Sequence, residues 1–448
     1  AGLSIFATQL SAITFVSTPA LAYATDWLVL PGKAMILLMA PVVVVFFLPF
    51  FRKLDITTAY EYLEQRFDAR TRTLTSFFFL VSRGLGVGVI IAAPSVILSI
   101  VLGWDEVVTI FAIGLSTTVY TMLGGVRAVT WTDVKQMVII FVGLALVVGV
   151  IIRGLPSGIS FSDALHVAGA AGRLETLDFS FDLTERYTVW SGLFAALFLF
   201  LSYFGCDQSQ VQRYLTARSV DEGRTSLLMS AFLKIPVQFL ILLIGVLVFV
   251  FYQFRPPPMI FNETDAASAS ALRPAAYAAL EGDLSALHEA RQQAAMGFVS
   301  LRETGDSASA REDFVQANAA YLDKRQEALD FVRDTNDDSS FTDVNYVFPV
   351  FVISNMPVGV VGLMIAAIMA AAMSSVAAEL NSLATASTMD FYKRHFRKDG
   401  DEKSLVAFGR LATLAWGVFA CIVATVSYTH LTLPTIVREC RSRWSPYD

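Results

Sequence analysis

Two adjacent hydroxyls mark the point in this chain where chemistry is easiest to imagine. Ser374 and Ser375 follow the small-residue run Ala370, Ala371, Ala372 inside an apolar stretch, and Glu379, Asn381 and Ser382 come soon after. Polar groups at membrane depth are costly and face a bundle interior or a cavity. A helical Ser commonly bonds back to a carbonyl one turn earlier, which would put the Ala371 carbonyl beside the hydroxyl pair. Three clustered neutral oxygens suit a hard cation such as sodium. The same small residues would also serve plain helix packing, because they let backbones approach closely.

Other polar residues are set in apolar surroundings. The opening ATQLSAITFVSTP carries Thr8, Gln9, Ser11, Thr14, Ser17 and Thr18 before Pro19. Such a segment can unwind and offer carbonyls to an ion, or stay an ordinary helix whose hydroxyls bond back. Arg83 stands beside Gly84, Gly86 and Gly88. A guanidinium there could clamp a carboxylate, snorkel to the interface, or pair with Asp133. Asp133, in YTMLGGVRAVTWTDVKQ, reads as a helix cap together with Thr132. Its sharper alternative is a place on an ion's exit path or at a second ion site. Asp207, Gln208, Gln212 and Arg213 cluster at a helix end as a solvated face or a gate. Lys234 reads as a snorkelling lysine. Cys206, Cys421 and Cys440 have no metal or disulfide spacing.

The elements that must hold these residues follow from composition. The 448 residues are 55% hydrophobic and only 16% charged, against about 25% charged in an average soluble domain. Apolar runs of about 20 residues span a bilayer as helices. Nine spans are expected, near 1–22, 34–51, 74–102, 107–123, 134–152, 190–206, 227–252, 358–390 and 404–427. The loops 51–76, 124–135, 205–225 and 391–403 hold 15 basic residues. The short loops between hold only Lys33, Arg153, Arg173 and Arg186. The first set is therefore expected in the cytoplasm. The connector TTAYEYLEQRF sets Tyr60, Leu63 and Phe67 on one apolar stripe.

The organisation expected is a transmembrane core over 1–254, an outer helical insert over 255–346 with helices near 270–300 and 309–334, and a second core part over 347–427. The insert reads as a solvated extension, with a lid or partner surface as the alternative. Residues 428–448 read as a non-native tail. The net charge of −6 and the absence of a basic stripe argue against nucleic acid as a partner. A small-molecule solute and the lipid bilayer are the partners expected. No nucleophile–base pair or HExxH motif suggests an enzyme.

The stretches ATQLSAITF, TAYEYLEQRF, YTMLGGVRAVTWTDVKQ, DQSQVQRYL and MAAAMSSVAAELNSLATASTMDFYKR jointly resemble the sodium/solute symporter family. The segment ATQLSAITF to PALAYATDW looks closest to its bacterial sodium/sialic-acid branch. The resemblance implies an all-α polytopic membrane protein of the bacterial inner membrane, with an inverted-repeat core of five plus five helices and a broken first helix. On that pattern the chain lacks a leading helix and the tenth core helix. The implied activity is sodium-coupled symport of a small organic solute by alternating access. An organic anion such as sialic acid is the first expectation. A neutral sugar, polyol or vitamin, or a symporter-like sensor domain, is the alternative.

By the same resemblance, sodium would be held by Ala7, Leu10, Ala371, Ser374 and Ser375. Substrate would meet Ser11, Thr14 and Arg83. Relatives with a second sodium site use an Asp, here Asp133, and serines where this chain has Ala377 and Ala378. One sodium per substrate is therefore expected. Lys33 stands near where the relatives have an amide.

Overall fold

A computed structural model describes residues 2–430 apart from 55, 183–184, 186, 218, 302–306, 340 and 397–400. Of the expected tail, 428–448, the residues from 431 onward lie outside the described residues, and 428–430 continue a helix. Among the described residues, eight helices are long and apolar enough to cross a membrane. They match the second to ninth expected spans.

The first expected span is broken. Helix α1 (Gly2–Ala7) ends at Thr8, and α2 (Ala12–Ala24) starts after a gap. Ser11 caps α2 by accepting the Thr14 amide at 3.2 Å. The chain then forms α3 (Val29–Lys53), α4 (Ala69–Leu102), α5 (Glu106–Val126) and α6 (Ala128–Gly154). Asp68 and Asp105 cap α4 and α5. Gly125, at φ 55° and ψ −157°, separates α5 from α6 in a conformation open to glycine alone. A short outer helix, α7 (Phe161–Ala170), has a Ser160–Asp163 capping box.

A second break mirrors the first. Helix α8 (Val189–Cys206) ends at Asp207, whose backbone is extended, and α9 (Gln208–Leu215) follows. Helix α10 (Val220–Phe254) packs along both halves of the first helix. Its Gly245 is so close to α2 that a Cβ would stand 2.1 Å from the Pro19 carbonyl oxygen.

The insert contains α11 (Glu263–Leu272), α12 (Pro274–Leu301) and α13 (Ser307–Asn336). It is not the free extension expected. Arg291 and Gln292 of α12 donate to the Tyr252 and Phe254 carbonyls at 2.8 and 2.9 Å. These are orphan acceptors at the end of α10. His166 of α7 stacks on Phe298, with ring centres 4.8 Å apart. Asp343 accepts from Arg325 at 2.7 Å and from the Phe261 amide at 2.8 Å.

Helix α14 (Val347–Asn355) lies over α2, with Phe348 edge-on to Phe15. Helix α15 (Val358–Phe396) packs against α5 and α6, and its last turns from Ser387 are wide π turns. Helix α16 (Glu402–Ser427) covers α4. At the basic end of the bundle, buried Asp390 accepts from Arg72 at 2.6 Å, Thr58 at 2.7 Å and Ser76 at 2.9 Å. The expected connector stripe is only partly right. Tyr60 is buried, but Phe67 is 67% exposed because its helix stops at Arg66.

Candidate functional site

Helix α1 is brought against α15 and α6, and one carboxylate joins all three. Asp133 is fully buried. Its two oxygens accept from Ser374 at 2.6 Å and from Ser4 at 2.5 Å. Arg213 of α9 adds an ion pair at 3.0 Å and also donates to the Ser4 hydroxyl and carbonyl. Four helices therefore meet at one charge-balanced centre. Asp133 is not a helix cap, because α6 starts at Ala128 directly after the Gly125 kink and Asp133 lies inside it. Nor is it the partner of Arg83.

The hydroxyl pair divides its bonds. Ser375 donates to the Ala371 carbonyl at 3.2 Å, while Ser374 turns to Asp133. Ala371, Ser374 and Ser375 are all buried. Across from them, α1 ends with its negative dipole end at the break. The loop amides close back on it: Leu10 donates to the Ala7 carbonyl at 3.1 Å and Gln9 to the Phe6 carbonyl at 3.0 Å. Ala7 and Leu10 are buried there. The donor set is neutral oxygen throughout, which is the chemistry of a monovalent hard cation. Ala377 and Ala378 add no oxygen ligand beside Asp133.

On the other side of the break, Ser11 and Thr14 sit at the N-terminus of α2, with their hydroxyls 3.2 Å apart. This is the positive end of a half-helix, suited to an anionic group. Sequence reasoning missed what adjoins it. Lys234 of α10 does not snorkel; it is buried, donates to the Gln9 Oε1 at 3.0 Å and lies 5.0 Å over the Phe200 ring. Gln9 also donates to Ser230 at 2.9 Å. Lys33 lies on α3. Neither lysine has a carboxylate partner among the described residues. A buried lysine beside a polar helix break was the available signal.

Arg83 is placed elsewhere. Its guanidinium binds the Asp207 carboxylate, lies 3.6 Å from Glu379 Oε1 and sits 5.5 Å from the Tyr203 ring centre. The structure does not bring it to Ser11 or Thr14 in any contact among the described residues. Arg83 there joins α4 to the second break and to α15 in an ion network. A separate cavity of about 520 Å³ lies between the end of α10 and α14. It is lined by Arg255, Glu263, Ser354 and Asn355 among others, and by none of the candidate residues.

Comparison with known proteins identifies the family. The chain is 30% identical over 424 residues to the sodium/sialic acid symporter SiaT of Proteus mirabilis, covering 95% of this chain and 69% of the relative. It is 29% identical over 428 residues to the sodium/sialic acid symporter NanT of Aliivibrio fischeri, covering 95% and 68%. A solved structure of a Na+-coupled sialic acid symporter, in a substrate-bound outward-open state, matches with a TM-score of 0.73 and 27% identity, covering 96% of this chain and 74% of that one. The model of the sodium:solute symporter family matches residues 1–273 and 337–439. On these matches the chain belongs to the sodium:solute symporter family.

Proposed function

We propose that this integral membrane protein imports an acidic sugar of the sialic acid type together with sodium. The observation that carries the substrate class is Lys234, buried without a carboxylate partner among the described residues and donating to Gln9 at the first-helix break. A buried cation favours an anionic partner. A substrate carboxylate placed against Lys234, Gln9 and the N-terminus of α2 would supply one, and Ser11 and Thr14 would meet its polar groups. Relatives named for sialic acid transport support the same class.

Sodium takes the oxygens of Ala7, Leu10, Ala371, Ser374 and Ser375. It bridges the broken helix to α15 and so orders the substrate side of the break. By linkage, sodium and substrate raise each other's affinity by one factor. One sodium entering with one sugar carboxylate moves no net charge, so the sodium concentration gradient, rather than the membrane potential, drives the cycle. The basic loops favour a cytoplasmic Asp390 end and an outer insert, in a bacterial inner membrane. The family and the similar proteins are transporters, which supports passage rather than bond making at this site.

The test is binding of N-acetylneuraminate in sodium or in potassium. Sodium-dependent binding that Ser374→Ala/Ser375→Ala loses, and that Lys234→Gln weakens, is expected. Binding indifferent to sodium would sink the coupling. Sodium-dependent stabilisation without any N-acetylneuraminate binding would discard the substrate class alone.

A further inference from the structure

Around Arg83 the charges do not balance. One guanidinium faces two carboxylates, Asp207 at the second helix break and Glu379 on α15. The nearby Asp133–Arg213 pair is already neutral. Asp207 spends its other oxygen on the amide and hydroxyl of Ser209, at 2.9 and 2.7 Å. Glu379 is only 5% exposed, and its Oε2 has no hydrogen-bond partner among the described residues. A buried, unpaired carboxylate oxygen in a cluster with one negative charge in excess is costly unless a cation joins it. Glu379 also lies four residues after Ser375, on the same helix face one turn along.

We propose that Glu379 Oε2, with Asp207, forms a second and weaker site for a monovalent cation, which sodium enters on leaving the Ser374–Ser375 pair. There it competes with Arg83 for the same two carboxylates. Sodium in this site loosens Arg83 and so frees α4 and α15 from the break between α8 and α9. Ion exit is thereby tied to the parting of these helices. The inference rests on the sodium coupling proposed above and adds a place on the ion's route.

The experiment is thermal unfolding of the purified chain in sodium titrations at constant ionic strength, with choline as the replacement cation. The wild type is expected to show a tight sodium effect. Ser375→Ala should keep only a weak one, at several-fold higher sodium. Adding Glu379→Gln, which preserves size and removes the excess charge, should abolish that weak effect. Arg83→Gln should strengthen it, by leaving both carboxylates to the ion. A weak effect missing from Ser375→Ala, or unchanged by Glu379→Gln, would overturn the site while leaving the coupling intact. A wild type indifferent to sodium would overturn both. If Arg83→Gln fails to fold, the Ser375→Ala and Glu379→Gln series decides alone.

Discussion

Ser374 and Asp133 are joined by a 2.6 Å hydrogen bond between α15 and α6. Through the same carboxylate Ser4 ties in α1 and Arg213 ties in α9. The ion-binding hydroxyl proposed here is therefore held by a buried ion pair. Removing one partner of such a pair leaves an uncompensated buried charge, at a cost of about 3–5 kcal/mol. Asp133→Asn and Arg213→Gln should each lower the melting temperature sharply. The double variant should recover much of that loss. A double variant no better than the worse single one would show that the two charges do not compensate each other.

Ser375 offers a different outcome, because among the described residues its hydroxyl bonds only to its own helix, at the Ala371 carbonyl. Ser375→Ala should leave sodium-free stability nearly unchanged. Loss of one of five ligands should remove the tight sodium effect and leave only the weak one assigned above to Glu379. Sodium titrations followed by melting temperature separate the two quantities. An equal fall in stability with and without sodium would make Ser375 a packing residue.

Close approach of α10 to α2 supplies a third prediction. Gly245→Ala would drive a Cβ into the Pro19 carbonyl at 2.1 Å. Backbone cannot yield as a flexible side chain can, so the helices must separate. Overpacking of this kind costs about 1–3 kcal/mol. Pro19 lies in the helix that begins at the break, so substrate affinity should fall with stability. A fully stable Gly245→Ala variant with unchanged substrate affinity would contradict the packing described.

The parts of this site that were legible in the sequence are local ones. The Ser375 bond to Ala371 spans four residues, and the break after Ala7 follows from a run of small hydroxylated side chains. Their periodicity is visible without knowing any neighbour. The partners of Asp133, Arg83 and Lys234 were not legible. Arg213 and Asp133 are 80 residues apart, and Lys234 and Gln9 are 225 apart. A helix sequence gives the depth of a charged residue, but its partner depends on how the helices are turned against each other. The same limit explains the insert. Arg291 and Gln292 look like residues of a solvated helix until the carbonyls of Tyr252 and Phe254 are placed under them.

That docking makes the insert sensitive to acid. His288 is buried, with Nδ1 2.9 Å from Arg291 Nη2. Burial first, and the Arg291 charge second, push its pKa down from 6.5 to about 4. The unfolded chain therefore binds the proton more readily than the folded one, and stability rises with pH across this window. The contribution is whole above pH 6.5 and is lost as pH falls toward 4, amounting to about 3 kcal/mol at most. The Arg291 bond to Tyr252 should loosen with it, because an imidazolium beside the guanidinium repels it. Corrected for the intrinsic pH dependence of exchange, amide protection of α12 should fall between pH 6.5 and pH 5 while protection within α10 changes little. His288→Asn should flatten that dependence, and a wild-type profile already flat over this range would remove His288 as the cause.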